Sequence, residues 1–173
     1  ELRSPRLRRF GQITTGLVGV LLLLYGIASA SWMMELFRTF NAPVPSARGG
    51  VLVHPLEAEI IRFHLKTIEE ETQPGDALLT VPDIAMLNFL SERPMPSRYY
   101  NLYEHHISGD DGSTVVEASE REETPLAIIR RNDFFSDRRG LREYAPRLAS
   151  YLKTHFDPFY EMDRDGFSYL RRR

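Results

Sequence analysis

The longest apolar stretch in the chain runs from Phe10 to Met34 and contains no charged side chain. Its 25 residues, at about 1.5 Å of rise each, would form a helix of roughly 37 Å, longer than the hydrocarbon core of about 30 Å. Four arginines lie between residues 3 and 9, and Trp32 lies at the far end, where indole rings favour the headgroup level. The pattern predicts a transmembrane helix with its N-terminus in the cytoplasm and the chain after Trp32 outside it.

The same stretch also has features of a signal peptide. Ala28-Ser29-Ala30 matches the small-residue cleavage pattern that follows the apolar core of such peptides. The chain begins with Glu1 rather than Met, and the uncharged run continues past Ala30, so we expect an internal start and a retained helix. Signal cleavage and a buried helix of a soluble protein are the two alternatives.

Turn-forming residues separate this helix from the rest of the chain. Pro and Gly residues are frequent between positions 41 and 50, so residues 35–53 are predicted to form a linker. Pro55 can occupy the first position of a helix, and the apolar spacing after it predicts a helix that ends before Pro74. The predicted buried face of this helix consists of Leu56, Ile60, Ile61, Leu65 and Ile68.

The remaining apolar runs alternate between short strands and helices. Helices are predicted from Pro82 to Arg93, over residues 114–122, and from Leu141 to Leu152 on the apolar spacing of that segment. A C-terminal hairpin is predicted because residues 156–162 and 167–170 flank Asp163-Arg164-Asp165-Gly166, with Gly166 in the left-handed turn position. Strands are predicted at residues 76–81, 98–102 and 126–129.

This order predicts an α/β fold, with one N-terminal transmembrane helix followed by a small layered α/β domain that has a partly parallel sheet and a C-terminal β-hairpin. The predicted division is residues 1–34 for the basic flank and transmembrane helix, 35–53 for the linker, and 54–173 for an extracytoplasmic α/β domain. The apolar runs are continuous rather than alternating, which is typical of strands covered on both faces. A domain of about 120 residues is large enough to bury a core of its own.

Composition excludes several classes of protein. The chain has no Cys, so it has no disulfide framework, thiolate metal site or cysteine nucleophile. Its net charge is −2, and the part after the basic start is more acidic still, which argues against a nucleic-acid partner because such binding depends on neutralising phosphates. G-x-G-x-x-G, P-loop and G-x-S-x-G patterns are absent from the sequence, so nucleotide binding and a serine hydrolase built on Ser31, Ser91 or Ser136 lack support.

Tyr103-Glu104-His105-His106 contains the one pair of adjacent histidines. With His54 or Asp110 this pair could form a zinc site. Adjacent imidazoles point in different directions on a helix or strand, however, so one metal ion cannot easily take both. We therefore predict an exposed loop and no metal site.

Acidic residues elsewhere have simpler interpretations. Residues 110–113 suggest a calcium loop, but an EF-hand needs Glu at its twelfth position, where this sequence has Arg121. Asp76 and Asp83 flank the ends of predicted strands and helices. A helix cap or first-turn acid is the favoured interpretation of both, over a general base.

Residues 87–99 (Leu-Asn-Phe-Leu-Ser-Glu-Arg-Pro-Met-Pro-Ser-Arg-Tyr) follow a Pro74-Gly75-Asp76 strand entry, and a hairpin with Tyr160 and Phe167-Ser168-Tyr169-Leu170 closes the chain. With the basic-flanked helix before them, these segments resemble the C-terminal end of bacterial multi-pass glycosyltransferases of the GT-C class. They are similar to the dolichyl-phosphate-mannose protein mannosyltransferases and the lipid A aminoarabinose transferase. The resemblance covers residues 1–173 in layout, and residues 87–99 are its most specific stretch.

The resemblance implies transfer of a sugar from a polyprenyl-phosphate donor to an acceptor outside the cytoplasm. In that class the catalytic base lies in the first extracytoplasmic loop of the full protein, and no residue of this chain matches it. The implied partners are membrane lipid and the remaining transmembrane helices of the parent protein, with no cofactor held by this chain beyond the polyprenyl-phosphate-sugar donor. The alternative is a single-pass membrane-anchored, or secreted, non-enzymatic envelope domain that binds a partner.

Asn88, Arg93 and Arg98 form the predicted substrate- or phosphate-binding set. They lie at the end of the second predicted helix of the α/β domain and in the loop after it, a place where α/β domains expose ligand groups. A guanidinium can hold a phosphate of the donor or of a lipid headgroup through two hydrogen bonds. The alternative is a structural arginine that binds loop carbonyls.

Two arginine clusters are predicted to be solvated charge. Arg138-Arg139 precedes the predicted helix at Leu141, and Arg171-Arg172-Arg173 ends the chain. The terminal cluster would contact anionic headgroups if it faced the bilayer.

Overall fold

The computed structural model describes residues 5–130, 140–162 and 166–173, with side chains from residue 16 onward. Helix α1 (Pro5–Thr39) contains the segment Gly16–Thr39, which by length and composition can cross a membrane. The most apolar 18 residues of this segment have a mean hydropathy of 1.9, and none of them is buried. The predicted N-terminal helix is confirmed, and it continues beyond Met34 into the predicted linker. The arginines of the basic flank lie outside the residues whose side chains are described.

Two short strands, β1 (Ala42–Val44) and β2 (Val51–Val53), occupy the segment predicted to be a linker. Gly50 has a φ of +78°, and a Cβ atom there would lie 2.5 Å from the carbonyl oxygen of Val44, so this position requires glycine. The chain divides into two compact units, one of Glu1–Ala42 with Leu52–Pro55 and the other of Pro43–Val51 with Leu56–Arg173.

The second unit is built on a four-stranded sheet with the order β3-β4-β6-β5. Its strands are β3 (Leu78–Val81), β4 (Leu126–Arg130), β5 (Phe156–Met162) and β6 (Phe167–Arg172). The β3–β4 pair is parallel, and the β4–β6 and β5–β6 pairs are antiparallel, which confirms the partly parallel sheet and the C-terminal hairpin. Gly166 has the predicted positive φ, +68°, whereas Asp163-Arg164-Asp165 lies outside the described residues.

Helices cover both faces of this sheet. On one face, strand residues such as Leu79 and Phe156 share a buried cluster with Val115 and Leu148 from two helices. On the other face, His64 packs against the rings of Phe167 and Tyr169. The helices of this unit are α2 (Pro55–Glu71), α3 (Ala85–Ser91), α4 (Glu104–Ile107), α5 (Ser113–Arg121), α6 (Leu141–Tyr144) and α7 (Pro146–His155), with a 3₁₀ turn at Ser108–Asp110.

The predicted buried face of α2 was partly wrong. Leu56 is 63% exposed, and Ile60 is only half-buried. The fully buried positions are Ala58, Ile61, His64, Thr67 and Ile68. On this face the imidazole of His64 hydrogen-bonds the hydroxyl of the buried Tyr169, a polar contact that hydrophobic spacing does not report.

Two further predictions were wrong in detail. Residues 98–102 form no strand; the chain there crosses the end of β3, where the backbone amide of Leu102 donates to the carbonyl of Pro82 at 2.7 Å. The predicted helix over residues 141–152 is interrupted at Ala145, which has a φ of −140°. Pro146 causes the break, because a residue before proline avoids the helical region, while Pro146 itself begins α7.

We expect Gly112→Ala to destabilise the α/β unit by about 2 kcal/mol or more, because it combines backbone strain with overpacking. Gly112 has a φ of +79°, and a Cβ there would lie 2.7 Å from the Cβ of Leu148. The matched control is Gly109→Ala, since Gly109 has nothing within 4 Å of the added atom. Urea unfolding of the whole chain in detergent micelles, followed by far-ultraviolet circular dichroism, measures both; equal losses would contradict the packing argument.

Candidate functional site

Asn88 lies buried in α3 and connects that helix to β3. Its Oδ1 accepts a hydrogen bond from the hydroxyl of Thr80 at 2.6 Å, and its Nδ2 donates to the carbonyls of Leu78 at 2.7 Å and Arg93 at 3.2 Å. These bonds hold the loop after α3 against the end strand of the sheet. A ligand that binds Asn88, as predicted, would have to replace some of these hydrogen bonds.

Arg93 follows the structural alternative that the sequence left open. Its Nε donates to the hydroxyl of Thr72 at 2.8 Å, and its two terminal nitrogens donate to the carbonyls of Ser91 at 3.0 Å and Thr72 at 3.4 Å. The guanidinium thus fastens the end of α2 to the loop after α3. The structure brings Asn88 and Arg93 together through the carbonyl of Arg93.

Arg98 is the member of the predicted set whose charge is exposed to solvent. Its guanidinium carbon lies 4.7 Å from the ring centre of Tyr99. It lines a cleft of about 390 Å³ together with Thr114 and Arg121. The nearby carboxylate of Asp110 has a pKa below its ordinary value, mainly because the hydroxyl of Thr114 donates to it, with a smaller contribution from the charge of Arg98. Because its guanidinium is exposed, Arg98 can form charge-assisted hydrogen bonds with an anionic group that arrives from solvent.

The two adjacent histidines lie in helix α4 rather than in the predicted exposed loop. His106 stacks on the ring of Tyr99 with ring centres 5.2 Å apart, and its Nδ1 lies 2.7 Å from the carbonyl oxygen of Asn101. His105 is exposed. Among the described residues, no three His, Cys, Asp or Glu side chains are grouped to hold a metal ion.

Asp83 is not the helix cap that the sequence predicted. The residue before α3 is Ile84, and no side chain caps that helix. The carboxylate of Asp83 instead lies 3.8 Å from a terminal nitrogen of Arg130 and accepts a hydrogen bond from the hydroxyl of Tyr103. Burial, and then the charge of Asp83, raise the pKa of Tyr103 above its ordinary value.

This cluster of Asp83, Tyr103 and Arg130 lies at the carboxyl ends of the parallel strands β3 and β4. Open α/β sheets bind ligands outside this edge. A sequence signal for it existed, because Asp83 and Arg130 each follow a buried apolar run within two residues. The side chains of Asp83 and Arg130 are 12% and 29% exposed, so their ion pair positions the strand ends rather than presenting a free base.

Arg130 also lines a cleft of about 750 Å³ between the sheet and helices α6 and α7. Phe156 and Leu170 contribute apolar walls, while Arg142 and Lys153 add positive charge. Glu143 and Glu161 also line this cleft, so its walls carry charges of both signs beside apolar surface. Ser136 and Arg138-Arg139, which precede α6 in sequence, lie outside the described residues.

The terminal arginines each have an acceptor in the fold, and Arg171 and Arg173 remain exposed to solvent, as predicted. Arg171 forms two hydrogen bonds with the carboxylate of Glu71, at 2.6 and 2.7 Å. Arg172 donates to the carbonyl of Ser119 at 3.3 Å, and Arg173 pairs with Asp157 at 2.8 Å. The fold places acceptors beside each of them because β6 lies between β4 and β5 in the sheet.

Comparison with known proteins finds similarity among solved structures. No protein-family model and no curated protein sequence matches the chain. Among solved structures, the C-terminal globular domain of an oligosaccharyltransferase from Archaeoglobus fulgidus is similar, with a TM-score of 0.37 and 9% sequence identity over 66% of this chain and 95% of that domain. A match of this quality does not by itself assign a function.

Proposed function

We propose that this chain is the C-terminal part of an integral-membrane glycosyltransferase that moves a sugar from a polyprenyl-phosphate donor to an extracytoplasmic acceptor. The observation that carries the proposal is the exposed apolar segment Gly16–Thr39, which is followed in sequence by a small mixed α/β unit. This order is the one implied by the resemblance of residues 87–99 to the GT-C class. The protein resides in the cell membrane, with the α/β unit outside the cytoplasm.

In this proposal the α/β unit contributes binding surface and leaves the chemistry to a loop that is not part of this chain. Its partners are membrane lipid and the other transmembrane helices of the parent protein. Of the predicted phosphate-binding set, Arg98 is the best placed to contact the donor, because Asn88 and Arg93 donate to protein carbonyls. The proposed reaction is similar to that of the mannosyltransferases and takes place in the cell envelope.

The test is to express the whole polypeptide encoded by the gene and to measure sugar transfer in membranes with and without residues 54–173. We expect transfer from a polyprenyl-phosphate donor to be lost on deletion, while the remaining protein stays in the membrane. A polypeptide that has α1 as its sole hydrophobic segment and shows no transfer would overturn the proposal. That result would favour the anchored, non-enzymatic envelope domain, and release of the chain from membranes would favour the secreted one.

We expect Arg98→Glu in the whole polypeptide to lower sugar transfer about tenfold or more, because a charge-assisted hydrogen bond contributes about 1.5–3 kcal/mol. The protein should still fold, since Arg98 is exposed and the change removes only a surface contact with the ring of Tyr99. Arg48→Glu, which changes an exposed arginine whose guanidinium also contacts an aromatic ring, that of Phe89, is the matched control. Unchanged transfer by a folded Arg98→Glu protein would remove Arg98 from the donor site.

A further inference from the structure

Three exposed aromatic rings lie together on one side of the α/β unit. Phe63 of α2 is 36% exposed, and Phe159 and Tyr160 of β5 are 37% and 42% exposed. The ring centres of Phe63 and Tyr160 are 5.3 Å apart. We call Phe63, Phe159 and Tyr160 the aromatic platform. Leu56, two helical turns before Phe63 and 63% exposed, extends the apolar surface along α2.

The aromatic platform rests on one buried side chain. The ring of Tyr169 lies 6.2 Å from that of Phe63, 6.2 Å from that of Phe159 and 5.5 Å from that of Tyr160. Tyr169 is fully buried, and its hydroxyl is hydrogen-bonded to Nδ1 of His64. The exposed rings therefore pack against a buried residue and lie on a helix and a strand rather than on a loop.

An irregularity in β5 produces this grouping. The register between β5 and β6 shifts between Pro158 and Tyr160, so Phe159 has no partner opposite it. In a regular strand, Phe159 and Tyr160 would point to opposite faces of the sheet. The bulge instead lets both rings contact Tyr169, and such bulges commonly re-aim side chains at sites of interaction.

The aromatic platform is electrically neutral. The guanidinium of Arg171 lies 4.7 Å from the ring centre of Phe159, and it donates two hydrogen bonds to the carboxylate of Glu71, whose negative charge balances its own. A neutral surface of phenylalanine and tyrosine rings does not attract nucleic acid or an anionic partner. It matches the headgroup region of a bilayer, where amphipathic aromatic rings accumulate.

We propose that the aromatic platform docks on the bilayer interface that anchors the chain. Helix α1 ends at Thr39 and α2 begins at Pro55, so the intervening chain reaches at most about 50 Å when fully extended. A short tether of this kind gives the platform a high effective concentration at the membrane surface, so weak insertion is sufficient. The proposal rests on the membrane anchoring within the proposed function and is independent of sugar transfer.

Single-cysteine reporters test the docking, because the chain has no native Cys. Phe159→Cys carries a bimane label on the aromatic platform, and Ser150→Cys carries it at an exposed position of α7, which covers the opposite face of the sheet. The whole chain is reconstituted in phosphatidylcholine vesicles containing lipids spin-labelled near the headgroup. We expect a blue shift and quenching of the label at position 159, neither of them at position 150, and no change when salt is raised.

A second variant shows whether the rings themselves are responsible. With the label at Leu56→Cys, the double change Phe63→Ser and Tyr160→Ser should abolish the quenching, whereas Lys66→Ser on the same helix should leave it unchanged. Absent quenching at position 159, or equal quenching at position 150, would overturn the proposal. Energy transfer between labelled chains that falls as the protein is diluted in lipid would also overturn it. That result would show that a second copy of the protein, rather than the bilayer, covers the aromatic platform. Carbonate extraction reports the anchoring separately, so failed docking in an anchored chain leaves the proposed function intact.

Discussion

Asn88→Asp is expected to destabilise the α/β unit by about 3 kcal/mol or more, because it places an unpaired charge in the interior. The Nδ2 group of Asn88 donates to two carbonyl oxygens, those of Leu78 and Arg93. A carboxylate in its place would face both oxygens with no hydrogen to donate. Asn88 is 3% exposed, so water cannot relieve the repulsion.

Urea unfolding of the whole chain in micelles measures this loss at neutral and acidic pH. Protonation of the new carboxyl restores one donor, so the variant should recover part of its stability relative to the parent as the pH falls. Asn101→Asp, at a half-exposed position in the following loop, is the control and should change stability by less than about 0.5 kcal/mol. Equal losses in the two variants would show that the hydrogen bonds of Asn88 do not secure the loop.

The double change Leu24→Arg and Ile27→Arg is expected to release the chain from the membrane. The two residues lie near the middle of Gly16–Thr39 and are 57% and 56% exposed, so the change does not disturb a protein core. Each arginine at the centre of a transmembrane helix costs about 2.5–3.5 kcal/mol, and the apolar side chains that it replaces are lost as well. The summed penalty is enough to reverse insertion.

Extraction of membranes with alkaline carbonate measures the release. The parent chain and the control with Leu24→Ala and Ile27→Ala should stay in the pellet, and the arginine variant should move to the supernatant. The intact mass of the exported parent chain decides the signal-peptide alternative, since cleavage after Ala30 would leave a protein that begins at Ser31. Recovery of the parent chain in the supernatant would show that α1 does not span the bilayer.

Elements with continuous apolar runs could be predicted from the sequence. Leu78–Val81 and Leu126–Arg130 are strands because each run is short and buried on both faces, and Gly166 marked the hairpin turn through its need for a positive φ. The buried face of α2 could not be predicted in full. Two of its buried members, His64 and Thr67, are polar, and Tyr169, the partner of His64, is far away in the chain.

The candidate site was less predictable than the fold. Asp83 and Arg130 meet because β3 pairs directly with β4, and no local pattern specifies which strands become neighbours. The guanidinium of Arg93 could be interpreted in two ways from the sequence. Its geometry matches the structural one, since the acceptors on Thr72 and Ser91 are supplied by the end of α2 and the turn after α3.

The position of Pro158 in an outermost strand has a consequence for how copies of the protein meet. Strand β5 forms one border of the sheet, and Pro158 and the neighbouring register shift interrupt its row of amide donors. Because its amide donors are interrupted in this way, β5 is a poor template for pairing with a strand from a second copy of the protein.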